Sequence, residues 1–266
     1  MPFFSRALPS AVLLCLSLSA FTPGAALASS SPVLDRIRDT GTIRLAHRES
    51  SVPFSYFDAD KKPVGYALDL CLRVVDKLRT ELKRPDLKVQ YVAVTSSTRI
   101  STIAEGKAEM ECGSTTNTRE RREKVAFTIP HYIAGSRMIV KTSSGIRKWD
   151  DLRGKTVGTL KGSVGERYCA LHGLDVVPFP SVDAAAAALA AKQCDAVVAD
   201  AQSLEYFDTS HPEVAVATVG ELFERRHYAF AVRSGDDDLL RRLNIAIVSL
   251  REDGAIDRVR GRWFGH

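Results

Sequence analysis

Twice along this chain a short β-rich run gives way to a loop of hydroxyl and glycine residues and then to a helical stripe. That repeated alternation restricts the fold more than any other feature. Parallel strands need long crossover connections, and a helix is the usual one, so strand–helix alternation argues for an α/β protein with parallel sheets. In the first round Thr42-Ile43-Arg44-Leu45-Ala46 reads as a strand, and Gly65-Tyr66 opens a helix whose Cys71, Val75, Leu78 and Leu82 share one apolar face. Val89 to Val94 is β-rich and ends at Thr95-Ser96-Ser97-Thr98, residues that suit the N-cap of a helix from Arg99 to Glu105, with Gly106 as its C-cap. Ala108 to Cys112 returns to the sheet, and the Gly113 to Asn117 loop leads into a polar helix from Thr118. The second round begins with Gly154 to Leu160 as a strand, followed by Lys161-Gly162-Ser163 and a helix from Val164. The alanine-rich run from Asp183 to Lys192 is strongly helical by propensity, and Asp195 to Asp200 is a further strand. Two such units imply two lobes with a cleft between them. The remaining strand, Tyr228 to Arg233, and the two helical patterns from Leu239 to Phe264 are too few for a third domain and are expected to pack on an existing lobe.

Nearly half of the 266 residues are apolar, enough for a sizeable core. The first 28 residues read as a signal peptide: Arg6 in the n-region, an apolar run from Ala11 to Leu18, and Ala26-Leu27-Ala28 before the cleavage point. Pro23 and Gly24 stop that run short of the roughly 20 residues a spanning helix needs. Cleavage removes Arg6 and lowers the formal charge from +5 to +4, with both signs interspersed, which argues against a nucleic-acid footprint. Export permits disulfides. Cys169 and Cys194 end two expected helices flanking one strand, so the sequence favours a bridge between them, whereas Cys71 and Cys112 are read as either buried thiols or a bond. No Cys-x-x-Cys or His-x-x-x-His spacing occurs, so no zinc site and no other cofactor is expected.

The chemistry-bearing residues cluster where strands end. The segments His47-Arg48-Glu49-Ser50-Ser51-Val52-Pro53-Phe54 and Glu111-Cys112-Gly113-Ser114-Thr115-Thr116-Asn117 place hydroxyls, backbone N–H groups and an arginine at such points, where α/β proteins bind small ligands. A small zwitterion must bring two opposite charges out of water, and each needs fixed partners. A carboxylate suits an arginine fork and helix N-terminal N–H groups, and an ammonium suits an acid with neutral acceptors. Ser114, Thr116 and Arg121 from the first unit, with Ser163 and Asp200 from the second, supply both sets. No nucleophile with an adjacent base is apparent, and Glu111 and Asp200 are the only obvious acid–base candidates.

Through those two loop segments, and across nearly all of the chain after the leader, the sequence resembles the bacterial extracellular solute-binding proteins of family 3. These serve polar amino-acid ABC transporters, and the likeness is greatest to glutamate- and aspartate-binding members. The resemblance implies a two-lobed, Venus-flytrap α/β fold whose chain crosses between lobes twice, near His131 to Gly135 and near Glu224 to Tyr228. It divides the chain into residues 29–133 and 227–266 for one lobe and 134–226 for the other. Carried over by position, Arg121 with the N–H groups of Thr116 and Ser163 would hold an α-carboxylate. Ser114, Thr116 and Asp200 would take the α-ammonium, and Arg48, Ser96 and Arg99 would meet the ligand side chain. A cation at Arg48 attracts an anionic side chain and repels a cationic one. His47 and Glu49 read as loop residues that orient Arg48, and Ala184 stands where those members have a histidine. The implied protein is a monomer with an amino-acid ligand and an ABC permease as partners, and no enzyme. Glutamine or asparagine binding, or a dehydratase on the same fold, are the alternatives.

Overall fold

The computed structural model describes Met1 and residues 31–265, so the expected signal peptide lies, but for Met1, outside the described residues. Two five-stranded sheets carry the chain. In the first, the order is Lys88–Val94, Thr42–Arg48, Met110–Glu111, Ala231–Arg233, Val125–Phe127. The first three strands are parallel, in register from Thr42↔Lys88 to Arg48↔Val94 on one side and at Leu45↔Met110 on the other. All three therefore release the chain at the same sheet edge, after Arg48, Val94 and Glu111.

Side-chain alternation gives this sheet two apolar faces. Ile43 and Leu45 face a core built with Leu70, Cys71, Val74 and Leu78 of the Tyr66–Glu81 helix and with Leu243 and Ile247 of the Asp237–Glu252 helix. Ala46, Val94 and Ala231 face the other way, onto Ile103 of the Arg99–Ala104 helix. The C-terminal segment thus belongs to this lobe, through the Ala231–Arg233 strand and the Asp237–Glu252 and Ala255–Phe264 helices.

The second sheet runs Asp175–Phe179, Thr156–Leu160, Ala196–Asp200, Tyr132–Lys141, Val216–Tyr228. The first three are parallel and the last two antiparallel to their neighbours. Tyr132–Lys141 and Val216–Tyr228 are also the two segments that run from one sheet to the other, paired at Tyr132↔Tyr228, Ile133↔His227 and Ala134↔Arg226. Their first-lobe ends are fastened: His131 N–H donates to Tyr228 O at 2.9 Å and Tyr66 Oη donates to His131 O at 2.8 Å. Phe54 packs edge-on against both Tyr132 and Tyr228, at ring separations of 5.1 and 5.3 Å, so an aromatic cluster seats both crossings. The sequence had suggested one strand from Tyr228 to Arg233. Instead Tyr228 ends the long crossing strand, and after Ala229 and Phe230 the chain joins the first sheet.

The cysteine pairing expected from the sequence is overturned. Cys71 and Cys112 form the disulfide, with Cα atoms 6.0 Å apart, and Cys169 and Cys194 are buried free thiols. The reason lies in the faces of the second sheet. Cys169 packs with Met138, Val140, Ala196 and Val198 on one face, whereas Cys194 packs with Ile139, Val197 and Ala199 on the other, so the sheet stands between them. The observed bond ties the Tyr66–Glu81 helix to the end of the Met110–Glu111 strand across a sequence separation of 41. Closing a loop of that length restricts the unfolded chain by about 4 kcal/mol. Peptide mapping without reductant is expected to recover Cys71 linked to Cys112, and Cys112→Ser should lower stability by about 2–4 kcal/mol in denaturant titration.

Candidate ligand-binding cleft

Because both sheets end their parallel strands toward the same cleft, loops from the two lobes meet there. The first lobe contributes Arg48 at its strand end, Ser96 and Arg99 after Val94, and Ser114 and Thr116 after Glu111. Opposite them the second lobe places Ser163 and Val164 after the Thr156–Leu160 strand and Asp200 at the end of the Ala196–Asp200 strand. One narrow cavity of about 20 Å³ is lined by seven residues singled out from the sequence: Arg48, Ser96, Arg99, Ser114, Thr116, Ser163 and Asp200. Arg121 stands apart, in the wider opening outside that cavity, which it shares with Ser96 and Ser163. Its Nη1 donates to Thr116 O at 3.0 Å and its Nη2 to Gly162 O at 3.3 Å, so it spans the cleft.

Three further polar side chains of the wall had not been singled out for the site: Ser51, Arg226 and Tyr228. Ser51 Oγ lies 2.7 Å from Ser114 Oγ, joining the two polar loops directly. Arg226 donates from Nη2 to Asp200 Oδ1 at 2.9 Å. Both Arg226 and Tyr228 are buried on the second crossing, alternating with exposed Arg225 and His227. Period-two alternation in a segment expected to cross between lobes was the available signal. Conversely, Ala184 lies on the Val182–Ala190 helix and is no part of the cavity wall, so it does not touch this site. His47 is a strand residue packed edge-on against Phe57 at 4.7 Å, and Glu49 is exposed.

Ser163 lines the cavity, but with a different role for its N–H. That group donates to Leu160 O at 3.0 Å within the turn, while the Ser163 hydroxyl caps the helix by accepting from Glu166 N–H at 3.0 Å. Val164 and Gly165, the first residues of the Val164–Leu171 helix, line the cavity, and N–H groups at these positions have no intrahelical partner by geometry.

The charges are crowded and buried. Burial, reinforced by the Arg99 charge, pushes the Arg48 guanidinium down to about 10 against the opposing pull of Glu111 and Asp200. Burial and Arg99 together push Arg121 down to about 9. Both stay protonated at neutral pH, and both are cations in want of an anion. Glu111 is fully buried, and neither carboxylate oxygen has a hydrogen-bond partner among the described residues. An added Cβ at Gly113 would lie 2.5 Å from Glu111 Oε1 and 2.8 Å from Arg48 Cγ, which puts acid and base on either side of that glycine. Arg99 Nη1 donates to Ser114 O at 2.9 Å, bracing the Ser114 loop.

The lobes touch across the cleft. Ser203 Oγ donates to Val52 O at 2.5 Å, Ser97 Oγ to Lys161 O at 3.5 Å, and Glu120 pairs with Arg167 at the outer rim. The sequence that builds this two-sheet α/β molecule matches a family model, bacterial extracellular solute-binding proteins of family 3, over residues 43–266.

The chain belongs to that family.

Among curated relatives, an L-glutamate/L-aspartate-binding protein of Pseudomonas aeruginosa is 34% identical over 241 residues, covering 87% of this chain and 79% of that protein. A glutamate/aspartate import solute-binding protein of Escherichia coli is 38% identical over 160 residues, covering 59% of this chain and 53% of the relative. Among solved structures, a mutant of ArgBP from T. maritima superposes with a TM-score of 0.79 at 26% identity, covering 88% of this chain and 99% of that one. The fold is therefore that of the two-lobed periplasmic amino-acid-binding proteins.

Closure has a steric requirement that can be tested. Gly162 has φ +73, and an added Cβ there would lie 2.7 Å from Ser97 Oγ and 3.0 Å from Ser97 Cα, on the opposite lobe. Gly162→Ala is expected to weaken ligand binding by about tenfold or more, because the added methyl obstructs the approach of Ser97, and to lower stability by about 1–3 kcal/mol through backbone strain. Small-angle scattering with saturating ligand should show a more open average shape than the native protein.

Proposed function

We propose that this protein is the periplasmic binding component of an ABC importer, that it takes an acidic L-amino acid between its lobes without chemical turnover, and that it hands the ligand to a membrane permease. The observation that carries the reading is the division of charge in the cavity. The first-lobe wall sets Arg48 and Arg99 beside one carboxylate, Glu111, leaving one positive charge in excess where a ligand side chain would lie. Arg121 and the N–H groups of Val164 and Gly165 suit an α-carboxylate, and Asp200 with the Ser114 and Thr116 hydroxyls suits an α-ammonium. Glutamate and aspartate present one ammonium and two carboxylates in that pattern. The similarity to glutamate- and aspartate-binding relatives supports the same ligand class.

A ligand that binds both walls favours the closed form over the open one by its extra contacts there. No covalent step is assigned, because Glu111 is sealed from the cavity wall and Asp200 is engaged by Arg226. Calorimetry with a panel of amino acids tests the reading. Glutamate or aspartate is expected to bind tightly without product, and a preference for lysine or arginine, or consumption of a cyclic acid, would overturn it. Arg48→Ala should lower affinity for acidic ligands by about 10- to 100-fold, the value of a lost charge-assisted contact, and leave glutamine within about threefold. Arg121→Ala should remove binding of every amino acid. A ligand at 100 times its Kd should stabilise the native protein by about 2.7 kcal/mol in a thermal melt.

A further inference from the structure

Arg226 has no counterpart in the roles assigned above, yet it is the most thoroughly connected cation in the cavity wall. It enters from the second crossing strand with its side chain 6% exposed. Besides Asp200, its Nη2 donates to Ser136 Oγ on the first crossing strand at 2.7 Å, and its Nη1 lies 3.3 Å from Glu224 Oε2. The strand is irregular just before it: the pairing shifts on both sides of Phe223, and Glu224 takes φ +50, a left-handed conformation uncommon for glutamate. That irregularity brings Glu224 and Arg226 together beside Asp200.

The electrostatic consequence follows from the count. Asp200 and Glu224 alone would give the second-lobe wall two negative charges, and Arg226 reduces these to one. One negative charge is what an α-ammonium needs. Two would repel a second ligand carboxylate and would draw in a cationic side chain by the same Coulomb interaction. Resting on the acidic-amino-acid reading, we propose that Arg226 is a specificity-determining residue: by cancelling one of the two carboxylate charges at Asp200 and Glu224, it makes the cavity accept an acidic ligand and exclude a basic one. Asp200 receives the ligand, Arg226 sets how negative its surroundings are, and Glu224 holds the other Nη of Arg226.

A purely structural role for Arg226 would affect all ligands alike, and this separates the two cases. The experiment is calorimetry of the full mature protein with glutamate, glutamine and arginine, on Arg226→Met, Arg226→Lys and the double variant Glu224→Gln/Arg226→Met. Arg226→Met is expected to lose about tenfold or more in glutamate affinity, to change by less than about threefold for glutamine, and to gain affinity for arginine. The double variant restores one negative charge and is expected to recover glutamate affinity to within about threefold of native. Arg226→Lys keeps the charge and is expected to keep the native ligand order. Should Arg226→Met fail to fold, the other two variants carry the test. Equal losses for glutamate and glutamine, or a double variant or lysine variant that fails to prefer glutamate, would overturn the proposal. If the native protein binds neutral but not acidic amino acids, the ligand reading fails by itself. The charge role of Arg226 then stands only if its removal still shifts preference from glutamine toward arginine.

Discussion

A guanidinium held almost out of water at the end of a central strand is the constraint on which the rest of the cleft depends. Arg48 is 3% exposed and shares its surroundings with Arg99, so its charge is compensated only in part by buried Glu111. Taking such a cation out of water is costly, and the cost is offset only if its acid is held close. The neighbouring features serve that end. Cys112 follows Glu111 and is bonded to Cys71 in the core helix, which fixes the strand end that carries the acid. Gly113 comes next, and its missing side chain is the space into which Glu111 and Arg48 pack. Ser114 then meets Ser51 from the Arg48 loop, closing the circuit. A disulfide, a glycine and a hydroxyl pair thus act together on one buried charge.

The second lobe answers with the opposite sign. Asp200 ends a strand there, and Arg226 and Glu224 reach it from the crossing segment, so the charged wall is built on the same strands that connect the lobes. Burial alone would lower the Arg226 guanidinium, but Tyr228, Asp200 and Glu224 around it outweigh that and raise it. It is a satisfied cation, unlike Arg48 and Arg121. On the proposed reading this contrast explains how ligand and closure are coupled. The unsatisfied cations gain from an anion, the acidic wall gains from an ammonium, and only a closed cleft lets one molecule serve both.

The parts of this design that could be read from sequence were those with a local signature. Strands such as Thr42–Arg48 and Ala196–Asp200 carry β-rich apolar runs, and Ser or Thr follows several of them, so the loops bearing Ser96, Ser114 and Ser163 could be placed at strand ends. The second crossing strand carries that signature only weakly. Val216–Tyr228 mixes polar and apolar residues, holds Gly220 and slips its pairing twice, so only the short alternation from Arg225 to Tyr228 marks its inward face, and Arg226 passed unnoticed with it. The cysteine pairing failed for another reason. It depended on which face of a sheet each helix covers, and that is fixed only when the strand order is known. Ser163 lies in the cavity wall, but its N–H is claimed by the turn that precedes the helix, a demand that side-chain type does not reveal.

The shared fold does not choose the ligand. ArgBP from T. maritima has the same architecture at 26% identity, and a structure of that protein is arginine-bound. Selection must therefore lie in the sign of a few side chains. At the rim of the cleft Arg119, Lys124 and Arg167 are balanced by Glu120, Glu123 and Glu166; further in, four guanidiniums, Arg48, Arg99, Arg121 and Arg226, stand against three carboxylates, Glu111, Asp200 and Glu224. A closed, low-dielectric cavity is penalised for any net charge it retains. The ligand that leaves this one neutral carries a single excess negative charge, which a neutral amino acid lacks and a basic one reverses. Changing one of these seven side chains would shift that balance by a whole unit without altering the strands that hold it.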